Sequence, residues 1–162
     1  MLEIRHATHD DLQVVGDIRN HEIVSGVNAW DTVPLEGRLL EQWFENHSDR
    51  YPLLVAETTT GIVGWASLSS WAHHGAYDRT AEGSIYVHCD HRGRGVGRSL
   101  LREIIVEARR LGHHVLIARI EASNEVSRRL HLGAGFRSVG VMREVGYKNG
   151  RYLDAELLEL LL

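Results

Sequence analysis

Hydrophobic and polar positions along the chain change their period several times, and these changes predict strands that alternate with helices. Residues 2–7 (LEIRHA) alternate as in a half-buried strand, whereas residues 8–20 carry apolar side chains at helical spacing. A second helix is expected from Pro34, because proline suits the first turn of a helix. Two apolar runs, 52–57 and 62–68, are joined by TTTG and predict a β-hairpin.

The second half of the chain continues this alternation. The run 79–89 (RTAEGSIYVHC) predicts a strand, and from Val96 onwards apolar residues recur at helical spacing. Residues 114–122 (HVLIARIEA) predict a buried strand, and residues 123–136 predict a short helix that ends in GAGF. Two further strands are expected on either side of Asn149-Gly150, a dipeptide typical of hairpin turns.

Composition adds limits to this picture. A chain of 162 residues with 43% hydrophobic and 25% charged residues fits one domain, so we expect a single domain over residues 1–162. The formal net charge of -4 argues against a general nucleic-acid binder. The N-terminus lacks the apolar core of a signal peptide, and no stretch approaches the length of a membrane span. Cys89 is the only cysteine and excludes an internal disulfide. We therefore expect a cytoplasmic protein that binds neither nucleic acid nor membranes.

A glycine- and arginine-rich stretch, residues 91–101 (HRGRGVGRSLL), lies between a predicted strand and a predicted helix. The first N–H groups of a helix have no intrahelical partners and bind anions, and glycines before them let the backbone approach a phosphate. The arginines of the stretch would attract such an anion, although a glycine-rich turn with solvated arginines remains an alternative. The stretch matches neither GxxxxGK[ST] nor GxGxxG, so the two common nucleotide-binding loops are excluded.

Residues 92–97 (RGRGVG) instead fit the [RQ]xxGx[GA] signature of the GNAT superfamily of N-acetyltransferases. The order of elements also fits, since a strand precedes this loop and a helix, a strand, Asn124 and the GF of GAGF follow it. The segments TAEGSIYV (80–87), RLH (129–131) and VGYKNGRYLD (145–154) are more specific. Through them the chain resembles the phosphinothricin/methionine sulfoximine N-acetyltransferase family, which includes L-amino acid N-acyltransferases, over essentially its whole length.

The resemblance implies both a fold and an activity. The implied fold is a single α/β GNAT domain with a mixed central sheet of about seven strands, splayed between the fourth and fifth and flanked by helices. The implied reaction uses acetyl-CoA as co-substrate and no metal, and acetylates the α-amino group of a small amino acid or analogue. A homodimer is implied as well.

Acetylation of a protein N-terminus or a polyamine remains open. A non-catalytic acyl-CoA-binding module is a third alternative, against which Glu82 and His131 argue because a binder needs neither.

The resemblance also assigns the residues that bind the coenzyme. Loop amides would hold its diphosphate, and the backbone amide of Val87 would bind the thioester oxygen where the strands splay. Asn124 would bond the pantetheine arm, or else cap the short helix. The implied set is Tyr86, Val87, His88, Arg92, Gly93, Arg94, Gly95, Val96, Gly97, Arg98, Ser99 and Asn124.

Two residues carry the implied chemistry. The amine must lose a proton before it attacks, so a base or a water relay is needed. Glu82 occupies the glutamate position of the family's TxExS segment, and the two-residue strand period places it on the same face as Ser84, Tyr86 and His88. A solvated strand glutamate is the alternative. His131 stands where many superfamily members have the acid that protonates the leaving thiolate, and a structural histidine is the competing interpretation.

The acceptor is expected to contact Trp30, His74, Tyr77 and Glu82. At the position of His74, two residues before Ala-Tyr, the phosphinothricin enzymes carry an arginine. Arginine binds an anionic group bidentately and histidine does not, so phosphinothricin is expected to be a poor substrate. The chain has eleven histidines, but His88-Cys89-Asp90-His91 and the paired histidines lack the spacing of zinc ligands, so no metal is expected.

Overall fold

The computed structural model describes residues 1–162. The chain forms seven strands and four helices, with three short 3-10 turns between them. In chain order the elements are β1 (Glu3–His6), α1 (Leu12–Ser25), α2 (Gly37–Glu45), β2 (Leu53–Thr58), β3 (Gly61–Ser70), β4 (Thr80–Val87), α3 (Val96–Arg110), β5 (Val115–Glu121), α4 (Glu125–Gly133), β6 (Arg137–Lys148) and β7 (Arg151–Leu161).

All seven strands belong to one sheet with the order β1-β2-β3-β4-β5-β7-β6. Only β4 and β5 are parallel, and they pair over just three residues, Thr80–Glu82 against Val115–Ile117. Beyond Glu82 the two strands diverge, so the sheet opens into a cleft between the carboxyl ends of β4 and β5. The expected mixed, seven-stranded sheet with a splay between its fourth and fifth strands is therefore confirmed.

The two faces of the sheet carry separate cores. Helix α3 packs on one face, where Leu100 and Ile104 are fully buried against residues such as Leu68. Helix α1 packs on the other face, where Val15 contacts the cluster around Trp65. Each fully buried aliphatic side chain contributes about 1.5–3 kcal/mol to folding. These helices fix the position of β4, because it lies near the middle of the sheet between them.

The second helix begins later than the sequence suggests. Pro34 lies outside it, and α2 starts at Gly37. The side chain of Asn20, on α1, donates to the carbonyl of Leu35 at 2.7 Å and accepts from its N–H at 2.9 Å. The Asn20 side chain thus occupies both the N–H and the C=O of Leu35, so these two groups are not free to form helical hydrogen bonds.

The C-terminal hairpin turns at Asn149 and Gly150, whose φ angles of 53° and 77° match the type I′ turn that Asn-Gly favours. Strand β7 lies between β5 and β6, which explains its leucines, since Leu158 is completely buried. Strand β6 is the edge of the sheet, and its valines and Tyr147 are exposed. None of the four helices combines the length and the apolar character needed to cross a bilayer.

Candidate active site

The end of β4 presents backbone amides to the cleft. The N–H of His88 donates to Val63 on β3 at 2.9 Å. Because successive N–H groups of a strand point to opposite edges, the amides of Val87 and Ile85 point the other way, towards the gap that β5 leaves. These donors lie where the sequence predicted a thioester oxygen to bind.

The glycine loop follows directly and ends in α3. Gly93 and Gly95 have φ angles of 74° and 85°, a conformation that disfavours other residues, and a side chain at either would meet open space. Gly95 is the N-cap of α3, so the unpaired N–H groups of the first helical turn adjoin this exposed loop. Arg94 and Arg98 are exposed and take part in none of the side-chain hydrogen bonds or ion pairs of the chain.

Arg92 differs from these two arginines because it has partners within the chain. Its Nε donates to the carbonyl of Val87 at 3.2 Å, and its guanidinium forms an ion pair with Glu22, a buried residue of α1. These contacts fasten the start of the loop to β4 and α1. The sequence alone groups Arg92 with the unpaired arginines of the loop. No sequence pattern indicates its ion pair with Glu22, which is 70 residues away.

Glu82 lies on β4 at the point where β5 begins to diverge. Its side chain is 19% exposed and its Oε2 accepts from Arg119 of β5 at 2.9 Å. Burial raises the pKa of the Glu82 carboxyl above its ordinary value, while the charge and hydrogen bond of Arg119 oppose this increase. Arg119 is itself held over the ring of Trp71, with its Cζ 5.4 Å from the centroid. Glu82 is thus a partly buried carboxylate held by one cation.

Three cross-strand pairs continue the face on which Glu82 lies. Glu82 is opposite Ser69, Ser84 is opposite Ser67, and the Tyr86 ring stacks on Trp65 with centroids 4.6 Å apart. Burial raises the pKa of Tyr86 to about 12, so its hydroxyl stays protonated. As predicted, Glu82, Ser84 and Tyr86 share one face, but His88 lies beyond the end of the strand, where its side chain accepts from the N–H of Asp90.

A cavity of about 190 Å³ lies over these pairs, beside Glu82. Its floor includes the serines of the cross-strand pairs, and none of their hydroxyls has a side-chain hydrogen bond within the chain. Helices α1 and α2, the loop between them and the residues just after α2 cover it with charged, aromatic and imidazole side chains: Arg19, Asp31, Trp43 and His47. Sequence reasoning missed these four residues, because they belong to no motif and lie 35 or more positions from Glu82.

His131 is buried in α4. Its Nδ1 lies 2.8 Å from the carbonyl of Ser127, and its ring packs edge-on against Phe136. Burial lowers the pKa of His131, so the neutral form is favoured. Asn124 caps the same helix, its Oδ1 accepting from the N–H of Ser127 at 3.1 Å. The capping role is therefore present, and the amide nitrogen of Asn124 remains available for another partner.

The remaining predicted acceptor residues are dispersed. The Nε1 of Trp30 donates to the carbonyl of Arg119 at 3.3 Å, which brings Trp30 near the partner of Glu82. His74 and Tyr77 are exposed in the loop before β4, and neither lines the cavity. Trp30 does not line it either, so none of these three residues contacts the cavity.

His88, Cys89 and Asp90 lie closer together than a strand would place them, because a 3-10 turn follows β4. Their potential ligand atoms are within 4.8 Å of one another, and Cys89 and Asp90 are exposed. These groups bond mainly with one another, since the Cys89 thiol faces Asp90 at 3.7 Å. The absence of a metal stays a prediction.

A sheet that opens beside a glycine-rich loop at the start of a helix is the architecture of acetyltransferases of the GNAT type. The Acetyltransferase (GNAT) family matches residues 16–136, and the chain belongs to this family. The resemblance noted in the sequence is thereby confirmed.

Two curated relatives align with nearly the whole chain. It is 38% identical over 164 residues to L-amino acid N-acyltransferase MnaT of Escherichia coli K12, covering 99% of this chain and 94% of that protein. It is 39% identical over 164 residues to L-methionine sulfoximine/L-methionine sulfone acetyltransferase of Salmonella typhimurium LT2, covering 99% and 95%. The solved structure of yncA, an acetyltransferase from Salmonella typhimurium with its cofactor acetyl-CoA, superposes with a TM-score of 0.96 at 37% identity, covering 100% of this chain and 94% of that one.

Proposed function

We propose that this protein transfers the acetyl group of acetyl-CoA to the α-amino group of a small amino acid or amino-acid analogue. The observation that carries the proposal is the placement of Glu82. This carboxylate lies at the base of the splay and beside a polar cavity of small-molecule size, and Ser84 and Tyr86 of the cavity floor lie between it and the strand end that presents free amides. The names of the relatives, which act on amino acids and methionine sulfoximine, support the same acceptor class.

The proposed reaction begins with loss of a proton from the acceptor ammonium group, which Glu82 accepts. The neutral nitrogen attacks the thioester carbon, so that a C–N bond forms and the π electron pair of the carbonyl moves to its oxygen, while the C–S bond breaks only in the later collapse. The amides of Ile85 and Val87 donate to the oxygen on which negative charge develops, and such fixed donors stabilise it more than water does. The tetrahedral intermediate collapses to the amide and the coenzyme thiolate, and the second nitrogen proton goes to solvent or the thiolate.

The distance along β4 constrains this scheme. Ile85 is the third residue after Glu82, which is a distance of about 10 Å at 3.3 Å per residue. A glutamate side chain spans only part of that distance, so the proton reaches Glu82 through water. The unpartnered hydroxyl of Ser84 lies on the same face between them and is suited to hold that water.

His131 has a structural role in this proposal. Hydrogen bonding to the Ser127 carbonyl requires the proton to be on Nδ1, which leaves a lone pair on Nε2. Since burial also favours the neutral ring, Nε2 has no proton to donate to a leaving thiolate. A thiolate with a conjugate pKa of about 8.5 leaves without such help.

The glycine loop and the first turn of α3 would bind the coenzyme's diphosphate. Calorimetry should show that acetyl-CoA binds far more tightly than acetyl-pantetheine, which lacks the diphosphate. Replacing Arg94 and Arg98 by alanine should remove most of this difference, whereas Arg102→Ala, an exposed arginine one turn further along α3, should retain it. Equal affinities for the two thioesters would contradict the anion-site assignment.

The acceptor class is tested by mass spectrometry of products from a panel of amines. Acetylated methionine sulfone or sulfoximine is expected. Exclusive acetylation of peptide N-termini or polyamines would favour that alternative. Binding of acetyl-CoA without turnover of any amine would favour a non-catalytic module.

We also propose a cytoplasmic homodimer. The exposed apolar residues of edge strand β6 support an interface between copies: Val139, Val141, Val145 and Tyr147. The exposed, unpaired Cys89 is compatible with a reducing compartment. Light scattering should give twice the chain mass at micromolar concentration, and a monomer mass would reject the dimer.

A further inference from the structure

The cavity beside Glu82 contains one cation, and that cation is already paired. The Arg19 side chain is 8% exposed and its Nη2 donates to Asp31 at 2.8 Å, whereas the Asp31 side chain is 51% exposed. The guanidinium also lies over the Trp43 ring, with its Cζ 5.1 Å from the centroid. Its other terminal nitrogen, Nη1, is buried and has no hydrogen-bond partner. Arg19 is thus fixed in place with an unused N–H donor.

From this pair we infer that Asp31 determines acceptor specificity: by neutralising Arg19, it makes the cavity select acceptors with a neutral, oxygen-rich side chain over anionic ones of the same shape. The inference rests on the proposed function, in which the acceptor side chain occupies this cavity while its amine lies at Glu82. Without Asp31, the buried guanidinium would favour an anion. With Asp31, an anionic side chain entering the cavity would meet a carboxylate as well as the guanidinium.

The other groups around the cavity do not change this balance. The serine hydroxyls are neutral, and burial lowers the pKa of His47, whose Nδ1 faces the carbonyl of Trp43 at 3.1 Å, so its ring is favoured in the neutral form. The nearest further charges are also held by partners within the chain, and they include Glu82, which is paired with Arg119. Glu22 is paired with Arg92, and Lys148 donates to the carbonyl of Ala29 at 2.8 Å. Arg19 and Asp31 therefore set the charge of the cavity.

The wall is at the same time rich in hydrogen-bond donors. Besides Nη1 of Arg19, the indole Nε1 of Trp65 is buried without a partner, and Trp65 also lines the cavity. A buried donor without a partner costs free energy, and a bound acceptor atom that forms a hydrogen bond with it removes this cost. Sulfone and sulfoximine oxygens accept hydrogen bonds without adding a net charge, so a side chain ending in such a group fits both the donors and the neutral pair.

The test compares methionine sulfone with phosphinothricin, whose side chains are nearly isosteric and differ by the negative charge of the phosphinate. The wild-type protein should prefer the sulfone by at least tenfold in kcat/KM. Asp31→Asn keeps the size of the side chain and an oxygen for Arg19, but removes the charge. This variant should lower the preference by tenfold or more, mainly through a lower KM for phosphinothricin. Adding Arg19→Gln to Asp31→Asn should abolish that gain.

Asp17→Asn is the matched control, because Asp17 is an exposed carboxylate of α1 that bonds only to Gln13. It should leave the preference unchanged, and Asp31→Glu, which keeps the charge, should largely retain it. A folded Asp31→Asn protein with the wild-type preference would overturn the inference, as would an equal shift in Asp17→Asn. Should Asp31→Asn fail to fold, Asp31→Ser makes the same comparison. Wild-type protein that acetylates neither substrate would instead contradict the proposed function, so the two failures are distinguishable.

Discussion

Replacing Glu82 by glutamine separates proton transfer from coenzyme binding. Glutamine has nearly the same shape and can still accept from Arg119, so the local fold should persist, but it cannot take a proton from the acceptor. Loss of a general base lowers rates by roughly 10²–10⁴-fold, and we expect kcat of Glu82→Gln to decrease within that range.

The expected effect on acetyl-CoA affinity is much smaller, and the structure gives its size. The diphosphate loop begins beyond Val87, five residues from Glu82, which is about 16 Å along an extended strand. A unit charge at that distance contributes about 0.3 kcal/mol per ligand charge in water, and salt with a Debye length of about 8 Å reduces this further. The Kd for acetyl-CoA should therefore change by less than about threefold, since 1.4 kcal/mol corresponds to a factor of ten.

The assay pairs steady-state kinetics, followed by thiol release with a saturating acceptor, with calorimetry of acetyl-CoA. Glu159→Gln is the matched control, because Glu159 is a strand glutamate of similar exposure, 20%, that is also paired with an arginine, Arg137. It should retain kcat. A decrease in kcat of less than about threefold in Glu82→Gln, well below the range for a general base, would show that water or another group takes the proton.

Two further predictions concern pH. Because Arg119 opposes the upward shift of the Glu82 pKa, Arg119→Gln should move the acid limb of the kcat/KM profile to higher pH; an unmoved limb would mean that Glu82 is not the titrating base. Burial lowers the pKa of His131 in the folded state below its unfolded value of about 6.5. At pH values between these two pKa values, the unfolded chain binds more protons than the folded chain. The free energy of unfolding therefore falls as the pH decreases through this range. Thermal unfolding followed from pH 7.5 to 5.5 should show a smaller loss of Tm for His131→Gln than for wild type, and equal losses would contradict the burial of a neutral ring.

The elements and the glycine loop were predictable because their signals are local. Strand and helix periods appear within a few residues, and the loop needs glycine at positions of positive φ, such as Gly93 and Gly95. The position of Glu82 could be assigned from the TxExS segment. Its environment could not, since Arg119 reaches it from a strand 37 residues later.

The cavity illustrates why the rest was not predictable. Arg19, Asp31 and the serines of β3 and β4 come from four parts of the chain, and only the packing of α1 on the sheet brings them together. The late start of α2 has a similar cause, because Asn20 competes for the backbone of Leu35 across 15 residues. Such long-range hydrogen bonds leave no period in the sequence.

The geometry of β4 supports the proposal that one short strand contacts both substrates. Its side chains alternate between the two faces of the sheet, whereas its amides alternate between the two edges. Ser84 and Tyr86 therefore face the cavity, with Glu82 on the same face beside it, while the amides of Ile85 and Val87 face the gap left by β5. Were β5 paired with β4 along its whole length, those amides would be occupied by its carbonyls. In the proposed reaction, the divergence after Ile117 thus allows a thioester to approach in the plane of the sheet while an amine approaches from its face.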